Sequence, residues 1–264
     1  MVERARVVVA GFGRLGAELA RGLAQADDVE VVGIARRTLP DERIDLGGRE
    51  VAVSTDLPAL LERTRPHVLL EASLPESAGP NVRSAIERGV APVVATSGLS
   101  SALVEEIGAL CRQRGVGAVI APNLSLGAVL LMHLAATAGR FFDHVEIIEM
   151  HRAQKADAPS GTALHTAQLL ARARGGPFAN SPTGTFTLEG VRGGTVEGIG
   201  IHSVRLPGLV AHQEVIFGGL GQTLTLRHDT TSNESYVPGA LLAIRHVMKS
   251  EGLTYGLAAL LGLE

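Results

Sequence analysis

Two hydrophobic rhythms divide this chain. Up to about residue 124, short apolar runs at 7–10, 29–34, 68–72, 93–96 and 119–121 have the length and β-branched content of buried strands. Between several of them lie stretches at 15–24, 78–88 and 102–114 whose apolar residues recur at helical spacing. Strand alternating with helix predicts a parallel sheet covered on both faces. Beyond residue 124 the rhythm changes. Runs at 185–188, 199–206, 210–217 and 223–228 follow one another without helices, and Gly193, Gly194, Gly198, Gly208, Gly218, Gly219 and Gly221 punctuate them. That pattern predicts a mostly antiparallel sheet, and so a second, α+β domain beginning near residue 125. A helix is expected over 238–249, and the segment 175–198, rich in Gly, Ser, Thr and Pro, reads as a mobile loop.

Where the first strand meets the first helix stands Gly11-Phe12-Gly13-Arg14-Leu15-Gly16. Glycines there allow a tight turn and close backbone approach to a pyrophosphate, and the helix start adds its dipole. In this strand–turn–helix setting the motif predicts a Rossmann-like, doubly wound dinucleotide-binding domain. An NAD-specific site usually carries an acid at the end of the second strand, for the ribose hydroxyls. Here that strand ends Gly33-Ile34-Ala35-Arg36-Arg37. A guanidinium suits a 2′-phosphate, so Arg36 points to NADPH as the preferred cofactor, with NADH possible. The bland alternative is a pair of solvated arginines.

Composition narrows the classes. With 45% hydrophobic and 19% charged residues the chain is globular. Lys plus Arg total 24 against 27 Asp plus Glu, which argues against a nucleic-acid partner. The single cysteine, Cys111, excludes an intrachain disulfide. The amino terminus lacks the apolar core of a signal peptide, and the longest apolar stretch, 124–138, is interrupted by Gly127 and His133 and is too short to span a bilayer. A buried helix, no membrane and a cytoplasmic location are the expectations. Nine histidines raise a metal site, but none has ligand spacing; only His202, His212 and His228, on expected strands, could meet in space, and no metal is expected.

The densest chemistry lies at 149–163. A strand runs into a polar loop, and a helix starts after Ser160, a natural N-cap, and runs to about Arg174, where glycines stop it. The amides of Gly161 and Thr162 then face outward at the positive end of a helix, ready for a carboxylate. His151 offers a group that titrates near neutrality and Lys155 a cation. Singly each is more often a solvated loop residue or a plain cap; together, after a dinucleotide fold, they suit a small dianionic substrate.

The run His151-x-x-x-Lys155-x-Asp157-Ala-Pro-Ser-Gly-Thr-Ala163 resembles the signature of the dihydrodipicolinate (4-hydroxy-tetrahydrodipicolinate) reductase family, and the resemblance covers nearly the whole chain. Gly11 to Gly16 is similar to the family's glycine loop, Ala95-Thr96-Ser97-Gly98 to its nicotinamide-side loop, and Ala121-Pro122-Asn123-Leu124 to its interdomain segment. His202-Ser203-Val204-Arg205 and Arg227-His228-Asp229 resemble its later strands. The resemblance implies a cofactor-binding domain over 1–124, a substrate-binding and oligomerisation domain over 125–237, and a helical segment over 238–264 that returns to the first. It implies hydride transfer from NAD(P)H to the unsaturated ring of a dicarboxylate, with loss of water, in diaminopimelate and lysine biosynthesis. His151 would be general acid/base, Lys155 proton donor and electrostatic partner, and Gly161 and Thr162 the carboxylate site. A homotetramer built through the second sheet is also implied.

The sequence departs from the family's pattern in three places. Arg152 stands where a second histidine is usual; it keeps a cation at every accessible pH and can bind a substrate carboxylate at two points. The usual Asp-Phe-Thr reads Glu71-Ala72-Ser73, and Thr-Thr-Gly reads Thr96-Ser97-Gly98. Two other functions fit the same fold: an aspartate-type amino-acid dehydrogenase, against which only the 155–162 segment speaks, and a non-catalytic dinucleotide sensor, which has no use for His151 and Lys155. The reductase reading expects imidazole, ammonium and helix start to converge beside the nicotinamide when the two halves close.

Overall fold

A computed structural model describes residues 4–38, 43–181 and 183–263. The first three residues, and Pro182 of the expected loop, lie outside that range. In chain order the elements are β1 (Ala5–Ala10), α1 (Arg14–Ala24), β2 (Val29–Ala35), β3 (Arg43–Asp45), β4 (Glu50–Ser54), α2 (Leu57–Thr64), β5 (Val68–Glu71), α3 (Pro75–Glu87), β6 (Ala91–Val94), α4 (Ser101–Arg114) and β7 (Gly117–Ile120). They continue with α5 (Leu126–Ala138), β8 (His144–His151), α6 (Gly161–Arg174), β9 (Gly194–Val196), β10 (Ile199–Arg205), β11 (Ala211–Gly219), β12 (Gln222–Thr230), α7 (Val237–Val247), β13 (Gly252–Tyr255) and α8 (Leu257–Leu260). Two compact units result: residues 1–126 with 233–264, and residues 127–232.

The first unit is a Rossmann-like α/β layer structure. Its sheet runs β13-β7-β6-β5-β1-β2-β4-β3, parallel except where β3 pairs antiparallel with β4. The central strands read Val-Leu-Leu-Glu, Ala-Pro-Val-Val and Gly-Ala-Val-Ile, and every residue of each is buried. Such unbroken runs are what a sheet covered on both faces requires. Helix α1 buries Gly16, Leu19, Ala20 and Leu23, one stripe at helical spacing. The short elements β3, β4, α2, β13 and α8 carry too little periodicity to announce themselves. Strand β13 of the C-terminal segment pairs with β7 at the sheet's edge. Helix α3 starts at Pro75, three residues before its expected start, because proline is favoured in a first helical turn.

The second unit is a five-stranded sheet in the order β12-β11-β8-β10-β9. All its pairs are antiparallel except β8 with β10. The core lies on one face, where Val145, Ile147, Val215 and Phe217 meet Leu131 and Ala135 of α5 and Ala163, Ala167 and Leu170 of α6. The alternation along β8 therefore puts Glu149 on this helix-covered side, fully buried. The opposite face carries Ile148, Met150, Glu214 and Ile216, while α5 and α6 pack on the first. One expected strand is overturned. Residues 185–188 form no strand, and Phe186 and Leu188 are 57% and 69% exposed. Apolar residues alone do not make a strand without a partner ladder. β9 forms instead, inside the expected loop, by pairing with β10. Gly218 and Gly219, expected as punctuation, lie within β11; the two-residue turn falls at Leu220 and Gly221.

Candidate active site

In the first unit the carboxyl ends of the parallel strands frame a cleft of about 490 Å³, lined by Gly11, Phe12, Gly13, Arg36, Ser73 and Asn81 among others. Gly11 has φ +91°, and a Cβ there would lie 2.6 Å from the backbone of Ala72 and Ser73. A Cβ on Gly16 would lie 1.9 Å from the carbonyl oxygen of Gly11. Those two glycines let strand, turn and helix close on one another. Gly13 is the N-cap of α1 and brings no side chain to it, so the helix-start amides stay open to an anion. Arg14 and Leu15 begin the helix. The Arg36 guanidinium lies 5.8 Å from the centre of the Phe12 ring, a cation–π distance, at the end of β2 where the second-strand acid is usual.

The next loops of the same sheet end are tied together. Thr96 donates its hydroxyl to the Ser73 carbonyl at 3.0 Å. Ala95 and Thr96 are buried, whereas Ser97 is exposed. Ala121 and Leu124 are buried, Pro122 is exposed, and Asn123 accepts the Ser125 amide through Oδ1 at 2.9 Å. Glu71, noticed in the sequence only as a departure from the family pattern, is fully buried beneath this rim. Its carboxylate accepts from the Ser73 amide at 2.7 Å, the Ser73 hydroxyl and Asn81 Nδ2 at 2.8 Å. Burial pushes this carboxyl above the ordinary carboxylate range, against the pull of those bonds. Glu71 thus fixes the turn on which Gly11 packs. These features fit a dinucleotide: a glycine cradle that a Cβ would fill, a helix start without a side-chain cap and a cation, Arg36, just after β2.

In the second unit the end of β8, the loop after it and the start of α6 hold the chemical groups. The Ser160 side chain accepts from the Ala163 amide at 3.2 Å, capping α6. That leaves Gly161 and Thr162 as first-turn positions without an intrahelical acceptor. A Cβ on Gly161 would meet nothing within 4 Å, so the space beside this residue is open. At the other end Gly175, at φ +85°, donates to the Ala171 carbonyl and stops the helix.

His151 is mostly buried, with its side chain 14% exposed, and its Nδ1 lies 2.5 Å from Glu149 Oε2. Arg205, on the neighbouring β10, donates to both oxygens of Glu149, at 2.9 and 2.7 Å. The Ser160 amide donates to Glu149 Oε1 at 3.2 Å. One carboxylate therefore links the imidazole to the first turn of α6. Lys155 Nζ holds Asp157 through both oxygens, at 2.7 and 2.8 Å, and the Asp157 carbonyl accepts from Arg205 at 2.7 Å. Arg152 is exposed at the loop's outer edge, and its carbonyl accepts the Lys155 amide.

Burial holds the His151 pKa below its ordinary value; Glu149 opposes that, and Lys155 and Arg205 add to it. Burial alone would raise Glu149, but Arg205, Ser203 and His151 together hold it below the ordinary carboxylate range. Lys155 holds Asp157 down in the same way. The site therefore presents a buried imidazole at the end of β8, an ammonium tethered in the loop after it and the start of α6 beyond, an arrangement suited to moving a proton beside an anion. Two of the three histidines considered for a metal are engaged by carboxylates. His202 bonds Glu146 and His212 bonds Asp229, and no group of three or more potential ligands occurs among the described residues. No helix among them is long and apolar enough to cross a membrane.

Sequence reading missed Glu149 and Arg205. Glu149 stands two residues before His151 on one strand, and so on the same face, which is a legible signal. Arg205 is brought opposite His151 only by the pairing of β10 with β8.

Known proteins resemble this chain along its whole length. The family model described as dihydrodipicolinate reductase, N-terminus, matches residues 5–124, and that described as dihydrodipicolinate reductase, C-terminus, matches residues 127–261. The 4-hydroxy-tetrahydrodipicolinate reductase of Moorella thermoacetica is 48% identical over 268 residues, covering 99% of each chain. That of Bacillus velezensis is 43% identical over 259 residues, covering 97% of each. The dipicolinate-bound dihydrodipicolinate reductase from Paenisporosarcina sp. TG-14 superposes with a TM-score of 0.86 at 37% identity, covering 97% of this chain and 99% of that one. The chain belongs to the dihydrodipicolinate reductase family.

Proposed function

We propose that this protein is an NAD(P)H-dependent oxidoreductase that reduces 4-hydroxy-tetrahydrodipicolinate to tetrahydrodipicolinate, with loss of water, in diaminopimelate and lysine biosynthesis. The observation that carries this is the short stretch from His151 at the end of β8 through Lys155 to the start of α6, in a chain whose other unit has the glycine-lined cleft. Gly11 to Gly16 and the first turn of α1 would hold the pyrophosphate, and the rims at Ala95 to Ser97 and Ala121 to Leu124 the nicotinamide side. When bound, the nicotinamide supplies a hydride.

Gly161 and Thr162 bind one substrate carboxylate through their amides, and Arg152 meets the second at the loop's outer edge. His151 is the general acid/base: depressed by burial, it is mostly neutral before the dianion arrives, and the substrate's charge favours its protonated form. Lys155, oriented by Asp157, donates a proton and stabilises charge as it develops on the ring. Arg36 favours NADPH over NADH by pairing with a 2′-phosphate. The apolar residues Ile148, Met150 and Ile216 on the second face of that unit's sheet support a homotetramer, and the buried lone thiol of Cys111 is compatible with the cytoplasm.

The decisive comparison is NADPH oxidation with freshly generated 4-hydroxy-tetrahydrodipicolinate against oxaloacetate plus ammonia. Turnover on only the second pair would assign an aspartate-type dehydrogenase. NADPH binding with no turnover on either would assign a sensor. Lys155→Ala is expected to lower kcat by orders of magnitude, about 10²-fold or more, while NADPH affinity stays nearly unchanged.

A further inference from the structure

We propose that Glu149 and Arg205 are positioning residues for His151: the buried carboxylate, clamped by the guanidinium, fixes the imidazole in one tautomer and supplies the counter-charge when the ring takes a proton. This rests on the acid/base reading of His151.

Glu149 is fully buried, and its carboxylate is met twice by Arg205 and also by the Ser160 amide, the Ser203 side chain and His151. An ionised carboxylate can only accept, so the Nδ1 facing it carries the hydrogen. In the neutral ring Nε2 is then the free lone pair, and in the cation it is the outward N–H. Proton traffic is then confined to Nε2.

Arg205 makes this choice stable. Without it, burial would drive Glu149 toward its protonated form, which could donate to Nδ1 and reverse the tautomer. Its guanidinium also reaches the Val204 and Asp157 carbonyls, at 2.8 and 2.7 Å, so it is braced on β10 and on the catalytic loop at once. The charged groups facing His151 are Glu149 from its own strand, Lys155 from the loop after it and Arg205 from β10, with Asp157 offsetting Lys155. Of those acting directly on the ring, Glu149 alone favours its protonated form. The same carboxylate receives the Ser160 amide, so imidazole and carboxylate-binding turn are set by one group.

The test follows the His151 ring by long-range 1H–15N NMR of histidine-labelled protein between pH 5 and 9, in parallel with the pH profile of kcat/KM. The wild type is expected to hold the Nδ1–H tautomer. In Glu149→Gln the tautomers mix, the titration midpoint falls by about one pH unit, and the alkaline limb of kcat/KM moves down with it, because the cationic ring has lost its partner. We expect kcat to fall by about 10- to 100-fold, and Glu149→Gln to add less than about twofold when introduced into His151→Gln. An unchanged tautomer and midpoint, or equal losses in both backgrounds, would make Glu149 a structural residue only and overturn the inference. If Glu149→Gln does not fold, Arg205→Lys and Arg205→Gln carry the same readouts: Lys keeps the wild-type tautomer and Gln does not, and identical behaviour of the two overturns it. A fully active His151→Gln would instead overturn the acid/base reading, whatever tautomer the wild-type ring holds.

Discussion

Single residues set the limits of the dinucleotide cleft. Gly11 combines a positive φ with backbone at 2.6 Å from any Cβ, so no side chain can be accommodated by a rotamer change. Gly11→Ala is expected to abolish NADPH binding, measured by fluorescence titration; retained affinity would mean that the cofactor does not approach this turn. Arg36→Asp replaces a phosphate partner with a like charge, so it should weaken NADPH far more than NADH, and equal losses would show that Arg36 does not reach the 2′-phosphate. Cys111 is fully buried and its thiol is pushed up to about 11 by that burial. It should stay unreactive toward a disulfide reagent at pH 8 until the protein is unfolded. The residues most legible in the sequence were those fixed by local geometry: the glycines of the turn, Ser160 as cap and the His151–Lys155 loop. Glu71, Glu149 and Arg205 were not given their roles, because a buried charge is explained by its partners, and Arg205 lies 56 residues from Glu149 in sequence.

At the scale of elements, the start of α6 is both a capped helix end and the proposed carboxylate-binding turn. Its start is defined by one side-chain cap and by the amide that Ser160 gives to Glu149. Ser160→Ala is expected to cost about 1 kcal/mol of stability in urea unfolding and to raise the substrate KM several-fold, since the first-turn amides lose their anchor. A fall in stability with KM unchanged would separate the cap from the binding turn. Helices α1, α4, α6 and α7 were readable within a few residues because each carries a buried stripe or a stop signal. Strands β1, β2, β5, β6 and β7 and strands β10, β11 and β12 were readable as well. The run at 185–188 was not, because strand formation depends on a ladder partner elsewhere in the chain, and β9 took the place beside β10.

At the scale of the whole molecule, each unit has its own core. Phe217 is among the largest fully buried side chains and sits in the second unit's cluster. Phe217→Ala is expected to destabilise that unit by about 3–5 kcal/mol while NADPH affinity, a property of the first unit, changes little. Sedimentation of the intact protein at four times the chain mass would support the proposed homotetramer, and a monomer would refute it.

The sequence by itself determined the class of each half, the glycine turn after the first strand and the capped start of α6 beside His151 and Lys155, because periodicity, glycine placement and helix capping act over a few consecutive residues. Only the tertiary structure decided which carboxylate faces His151, what holds that carboxylate ionised, and where the C-terminal strand joins its sheet. Those depend on strand register and burial, which bring together residues far apart in the chain and change the energy of a charge once water is gone.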